Sequence, residues 1–379
     1  MIAPSPTAAA PGHVGVKKLR RIVFNGKFYS GALNGVHRVA DRLIGEVDRL
    51  LTAMPDADRP QAEIHVPLDR AWSPKVETIK LIEHPGAASQ RWEQLRLPRL
   101  AKDGVLINLC NLAPIAHRRK IMLIHDAQFL FRDASYPWRQ LWGHRLLVPI
   151  MARSSRRILT VSQYSRAILD LTRVAPGERI GILHNGIDHM LDATPAEGTL
   201  TRHGLHANRY VIVFGTHKGY KNVQLIFDAF DRPELSSFRL VVVGESEAKL
   251  RANGLIPPAN AQFMGGIDDA VLRALYEHAT CLVFPSRTEG FGLPPLEAML
   301  LGCPAIVAPA GAMPEICRDA VLYADVDAQD QWAAAVLRLA EDHAFRASKI
   351  AAGRRRAEEF TWKRAGSKLL DEALLLARD

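Results

Sequence analysis

Short apolar runs recur along the chain, spaced widely enough to hold a helix between them. Ile22–Asn25, Val105–Leu109, Ile121–His125, Ile158–Val161 and Ile180–His184 form a first series. Tyr210–Phe214, Leu240–Val243, Cys281–Pro285, Ala305–Ala308 and Val321–Tyr323 form a second. Each is compact and almost wholly apolar, the pattern of a strand buried on both faces. Between them lie segments with apolar residues at helical spacing, such as Asn222–Phe230 and Asp269–His278. Strands alternating with helices predict an α/β fold with parallel sheets covered on both faces.

Two series imply two domains, and 379 residues exceed one ordinary core. Residues 191–208 are rich in Ala, Thr, Gly and His with little periodicity, and separate the series. We therefore expect a disordered leader over 1–17, a first Rossmann-like domain over 18–192, a linker over 193–208, a second Rossmann-like domain over 209–357, and a terminal segment over 358–379. Within the last, Trp362–Ala377 reads as one amphipathic helix able to pack across both domains. Ligands of such domains sit where the carboxyl ends of the strands meet the cleft.

Composition narrows the class. No apolar run approaches the ~20 residues that span a bilayer. The Ala- and Pro-rich start lacks the basic and apolar regions of a signal peptide. Cys110, Cys281, Cys303 and Cys317 fit no zinc spacing, so free thiols in a reducing, cytoplasmic setting are expected. The net charge of +9 suits nucleic acid, an anionic membrane or a phosphorylated substrate, and does not choose among them.

The most informative stretch is Phe284-Pro-Ser-Arg-Thr-Glu289-Gly-Phe-Gly-Leu-Pro-Pro-Leu-Glu297. A strand ends, a loop with Gly290 and Gly292 follows, and Pro294 and Pro295 suit the first turn of a helix, where a missing N–H is harmless. Strand, glycine loop and helix start together make a cradle for phosphate. Glu289 and Glu297 flank it as acceptor-only carboxylates suited to sugar hydroxyls.

Glu289-Gly-Phe-Gly-Leu-Pro-Pro-Leu-Glu297 resembles the signature of retaining glycosyltransferase family four, which has the GT-B fold of two Rossmann-like domains facing a cleft; the resemblance implies that the first domain binds the acceptor and the second the nucleotide-sugar. Val161-Ser-Gln-Tyr-Ser165, Asn185-Gly-Ile-Asp188, Gly215-Thr216 through Lys221-Asn222, Gly265 through Leu275-Tyr276, and Pro314-Glu315 resemble further family segments in order. The resemblance implies that Glu289 binds donor-sugar hydroxyls, that Gly290 belongs to the donor-binding loop, and that Phe291, Gly292 and Leu293 offer backbone N–H groups to sugar and phosphate. It implies that Glu297 binds ribose and that Lys221 neutralises the diphosphate, a task suited to a flexible point charge. His125, after the strand Ile121–Ile124, would hydrogen-bond the donor sugar near the reaction centre. Asp126 would fix that histidine or the next turn. The loop Tyr29-Ser-Gly31-Ala-Leu-Asn-Gly35 resembles the family's glycine loop facing the diphosphate, with Arg38 as a functional or a merely solvated residue. The resemblance also places Thr216 among the donor-binding residues; many family members carry an Arg where this chain has Thr216 or His217 and others a Thr, with Lys218 or a first-domain Arg as a candidate substitute.

Other classes are disfavoured. No Gly-x-Gly-x-x-Gly follows the first strand and no Gly-x4-Gly-Lys-Ser/Thr string exists, against a dinucleotide dehydrogenase and a P-loop NTPase. Asp325-Val-Asp327 reads as a turn, so the reaction is expected to need no metal and no cofactor beyond the nucleotide-sugar. The variant signature resembles bacterial mannosyltransferases using GDP-mannose, with UDP-sugars as alternative donors. The resemblance implies a polyprenyl-diphosphate-linked saccharide or polysaccharide acceptor and no nucleic-acid partner. The stretch Trp138–Arg157 mixes Trp138, Trp142, Leu146, Leu147 and Ile150 with Arg139, Arg145, Arg153, Arg156 and Arg157, and suits peripheral contact with an anionic membrane. A non-catalytic nucleotide-sugar binder and a sugar epimerase are the competing readings.

Overall fold

The computed structural model describes residues 21–127 and 138–378; the expected leader lies outside them. The first sheet contains β1 (Ile22–Asn25), β2 (Ala62–Pro67), β3 (Lys80–His84), β4 (Val105–Asn108), β5 (Lys120–Ile124), β6 (Arg157–Thr160) and β7 (Ile180–Ile182), all parallel, in the order β3-β2-β1-β4-β5-β6-β7. The second contains β8 (Tyr210–Gly215), β9 (Arg239–Gly244), β10 (Ala261–Gly265), β11 (Cys281–Phe284), β12 (Ala305–Val307) and β13 (Leu322–Tyr323), also parallel, in the order β10-β9-β8-β11-β12-β13. In each sheet the order reverses beside the first strand, between β1 and β4 and between β8 and β11. Chain leaving two such strands diverges to opposite faces and opens a crevice at their carboxyl ends.

The central strands β1, β4 and β5 are buried along their whole length. Three strands escape the apolar-run reading: β2, β3 and β10. β3 and β10 form sheet edges: β3 exposes Lys80 and Glu83 on either side of half-buried Leu81 and Ile82, and β10 is half-buried throughout. β2 carries Glu63 and His65 inside its run. His65 Nδ1 meets His84 of β3 at 2.8 Å and its Nε2 meets Glu63 at 3.0 Å, so these polar groups are satisfied only once the sheet has formed.

Helix α1 (Gly35–Thr52) follows β1. Asn34 caps it by accepting from the His37 N–H at 3.0 Å. Helix α2 (Trp138–Ser154) runs through Pro149 and buries Val148, Met151 and Ala152, while Trp142, Leu146 and Ile150 stand exposed one turn apart. The expected basic segment reaching Arg157 is thus divided: the helix ends at Ser154, and Arg157 opens β6, paired with Glu372 at 2.6 Å. No helix among the described residues is long and apolar enough to cross a membrane.

Downstream of β6 lies α3 (Gln163–Leu171); the second sheet carries α4 (Val223–Phe230), α5 (Asp269–His278) and α6 (Leu293–Leu300). The last helix, α7 (Trp362–Arg378), returns to the first domain and packs along α1. The approach is close: a Cβ at Gly366 would lie 2.4 Å from Glu46 Cγ. Its start is held by the Asn-Gly-Ile-Asp loop. Asp188 Oδ1 accepts the Trp362 N–H at 2.7 Å, and a Cβ at Gly186 would lie 2.2 Å from Trp362 N. Glycine is needed there because another backbone occupies the side-chain position.

Candidate active site

The crevice of the second sheet holds the charged residues of interest. Lys221 ends a single 3-10 turn, Gly219–Lys221, after β8. Glu289 follows β11 in the loop leading to α6. Lys221 Nζ donates to Glu289 Oε1 at 2.5 Å and lies 5.1 Å from the centre of the Phe284 ring. Burial opposes the ammonium charge, but Glu289, with Tyr220 and Asp126 nearby, outweighs it and raises the Lys221 pKa above its ordinary value. The sequence reading placed Lys221 on the diphosphate and Glu289 on the sugar; in the structure the two are paired with each other.

Beyond Glu289 the glycine loop turns sharply. Gly292 has φ 89°, a left-handed value that favours glycine, and it precedes α6. The N–H groups of Phe291, Gly292 and Leu293 have no hydrogen-bond partner among the described residues. They and the helix start form a positive pole beside Lys221.

The loop is clamped against the first domain. Ser162 Oγ donates to Gly290 O at 2.6 Å, Ser165 Oγ reaches the same carbonyl at 3.3 Å, and a Cβ at Gly290 would lie 2.3 Å from His125 O. Glu315 accepts the N–H groups of Gln163 and Tyr164 at 2.9 and 3.0 Å. Burial pushes its carboxyl up, yet His184 and these two donors outweigh burial and hold its pKa below the usual carboxylate value. A side chain of the second domain thus caps α3 of the first. The Val-Ser-x-x-Ser and Pro-Glu segments were visible in the sequence, but their partnership was not, because it joins residues about 150 positions apart.

A cavity of about 650 Å³ lies between the domains. Gly35, His125, Asp126, Lys218, Lys221 and the loop Glu289–Leu293 line it. The His125 N–H donates to Asn111 Oδ1 at 2.7 Å, and its Nε2 lies 2.6 Å from Leu109 O. A carbonyl only accepts, so Nε2 carries the proton and Nδ1 is left as an acceptor. Burial lowers the imidazole pKa to about 4, so the ring is neutral. Thr216 does not line the cavity; its Oγ1 accepts the Lys218 N–H at 3.4 Å. His217 is held by Glu245 at 2.8 Å. Of the candidate substitutes for the family's Arg, Lys218 faces the cavity.

The sequence pattern behind this geometry is that of a known family. Residues 202–356 match the model of "Glycosyl transferases group 1". Those residues form a glycosyltransferase group 1 domain. The chain is 30% identical over 246 residues to O-antigen chain mannosyltransferase B of Escherichia coli, covering 59% of this chain and 61% of that one. It is 29% identical over 195 residues to the GDP-mannose:cellobiosyl-diphosphopolyprenol alpha-mannosyltransferase of Komagataeibacter xylinus, covering 49% and 47%. The chain therefore matches less than two thirds of either relative's length. Among solved structures it resembles sucrose-phosphate synthase of Thermosynechococcus elongatus, with TM-score 0.69, 16% identity, and coverage of 93% and 97%. That likeness shows the fold, which is GT-B.

Within the group 1 domain, Glu297 sits one turn further along α6 than the cavity lining, which stops at Pro294. Burial raises its carboxyl to about 7, partly countered by Arg38. Its Oε1 lies 3.6 Å from His189 Nε2. Trp362 Nε1 donates to His189 Nδ1 at 3.2 Å, which puts the imidazole proton on Nε2, a buried N–H that makes no hydrogen bond among the described residues. Arg38 is not a solvated helix residue: it crosses between the domains to pair with Asp269 at the start of α5. The Asp325-Val-Asp327 triplet is a turn, with Asp325 accepting the Asp327 N–H at 2.9 Å and Asp327 paired to Arg287 at 2.6 Å.

Proposed function

We propose that this chain is a retaining family-four glycosyltransferase that moves mannose from GDP-mannose to a polyprenyl-diphosphate-linked saccharide or polysaccharide. The observation that carries this reading is the meeting of Lys221, Glu289 and the α6 start at one crevice. The names of the two relatives described above, both mannosyltransferases, support the sugar.

In this reading the donor diphosphate lies against the N–H groups of Phe291–Leu293 and takes Lys221 Nζ from Glu289. The freed carboxylate accepts from the sugar hydroxyls, and His125 Nδ1 accepts from another. The anomeric carbon–phosphate oxygen bond breaks as the acceptor hydroxyl attacks the same face. The hydroxyl proton passes to the leaving phosphate oxygen, so no protein nucleophile is consumed, unlike the two-step retaining glycosidases. Negative charge grows on that oxygen, and Lys221 with the helix pole stabilises it without a metal. Glu297 holds the ribose at the far end of the donor.

The enzyme would act in the cytoplasm, at the inner face of the membrane, where lipid-linked acceptors reside. Trp142, Leu146 and Ile150, exposed along one side of α2, support a peripheral contact there. Calorimetric titration with GDP, UDP and their sugars tests the donor: GDP-mannose should bind most tightly, and tighter binding of UDP than GDP would overturn it.

A further inference from the structure

The first sheet has a crevice of its own. β1 and β4 flank its reversal point, and the residues that follow them, Lys27, Phe28, Leu109 and Cys110, line a separate cavity of about 350 Å³. It adjoins the larger cavity, sharing His37, Cys110 and Leu112 with it. The Lys221–Glu289 crevice occupies the equivalent position in the second sheet.

This smaller cavity has a built polar wall. Glu93 is only 3% exposed. Its Oε1 accepts from Asn25 Nδ2 at 2.8 Å and its Oε2 from Lys27 Nζ at 2.7 Å. Asn25 Nδ2 also reaches Asn108 Oδ1 at 3.0 Å, and Asn108 is fully buried. The network holds the carboxylate and the ammonium at fixed positions. Each keeps spare capacity, since a carboxylate accepts about four hydrogen bonds and an ammonium donates three. A hydroxyl both donates and accepts, so a polyol satisfies both groups at once. The pair is also neutral overall. A phosphate would gain from Lys27 and lose to Glu93 at nearly the same distance. Phe28 adds an apolar wall, suited to the C–H face of a sugar ring.

We propose that this cavity binds an uncharged sugar residue of the acceptor, gripped by Lys27 and Glu93, and leaves the acceptor's phosphate outside. The proposal rests on the glycosyltransferase reading above. It makes Lys27 and Glu93 specificity-determining residues for the acceptor rather than for the donor.

Ligand-observed NMR on the full chain tests it, using methyl α-mannoside, methyl β-glucoside, methyl N-acetylglucosaminide and inorganic phosphate as probes. Calorimetry with GDP and UDP runs in parallel. At least one glycoside should bind the wild type, and phosphate should not displace it. Lys27→Met should weaken that glycoside about tenfold or more, the worth of one charged hydrogen bond. Nucleotide affinity should stay within about twofold, because no donor contact is touched. Glu93→Gln should exchange the preferences: it leaves Lys27 unpaired, so phosphate binding appears as glycoside binding falls. If that buried substitution does not fold, Lys27→Met decides alone. The proposal is overturned if no glycoside binds, if binding survives Lys27→Met, or if phosphate competes in the wild type. Glycoside binding without nucleotide binding would instead sink the donor reading and leave this cavity standing.

Discussion

Replacing Lys221 with Ala perturbs two things at once, and the structure separates them. The ion pair with Glu289 is lost, leaving a carboxylate whose side chain is 11% exposed without its cation. Breaking a fully buried pair costs about 3–5 kcal/mol. This pair faces a water-accessible cavity, and the lysine side chain is 23% exposed, so screening reduces the expected loss to about 1–2 kcal/mol. In a domain of this size that is a fall in Tm of roughly 2–8 °C. The protein should therefore stay folded at assay temperature. The chemical effect is larger. Losing one donor to a developing oxyanion costs about 3 kcal/mol, or roughly two orders of magnitude in kcat. Donor affinity should fall as well, because an unpaired Glu289 then repels the diphosphate. Glu289→Gln should lower kcat through the sugar contact, and the double variant should lose less than the product of the two single losses, as expected for partners in direct contact. The assay is nucleotide release from GDP-mannose in membranes carrying lipid-linked acceptors, with thermal unfolding measured alongside. A Lys221→Ala protein that turns over at more than about a fifth of the wild-type rate at saturating donor would refute the role given to Lys221.

Glu297→Gln tests the buried carboxyl. Its pKa is raised from 4.5 to about 7, so the folded chain holds a proton that the unfolded chain has released, and stability is lost as pH rises from 4.5 through 7. The neighbouring His189, lowered from 6.5 to about 4, acts oppositely and loses stability as pH falls below 6.5. The Gln variant should therefore gain on wild type between pH 5 and 8, by up to about 3 kcal/mol, in denaturant melts at both values; a pH-independent difference would contradict this. In steady-state kinetics Glu297→Ala should raise the donor KM with little change in kcat, since a ribose contact is equal in ground and transition states; a kcat loss alone would count against it. Activity should survive exhaustive chelation, because Lys221 and the α6 start supply the charge; loss restored by magnesium or manganese would overturn that mechanism. Binding to anionic liposomes should weaken with salt and with Trp142→Ala and Leu146→Ala together; no binding at low salt would leave the exposed side of α2 without a membrane role.

The sequence by itself determined the fold class and the ligand side of the sheet. Continuous apolar runs such as Ile22–Asn25 and Cys281–Phe284 can be buried only in the middle of a parallel sheet, so their strand character is local information. The glycine loop and the two prolines before Glu297 mark a helix start for the same reason, since φ and N–H limits act within a few residues. Tertiary structure decided what is held jointly. β2 and β3 carry His65 and His84, which are satisfied by each other across the strands, and β3 and β10 are sheet edges without fully buried runs. The seating of Gly290 between Ser162 and His125, and the capping of α3 by Glu315, join segments that share no local pattern. The Lys221–Glu289 pair is the plainest case. Each residue was legible as a candidate from its motif, but the 2.5 Å between them exists only because β8 and β11 are neighbours in the sheet, 68 residues apart in the chain.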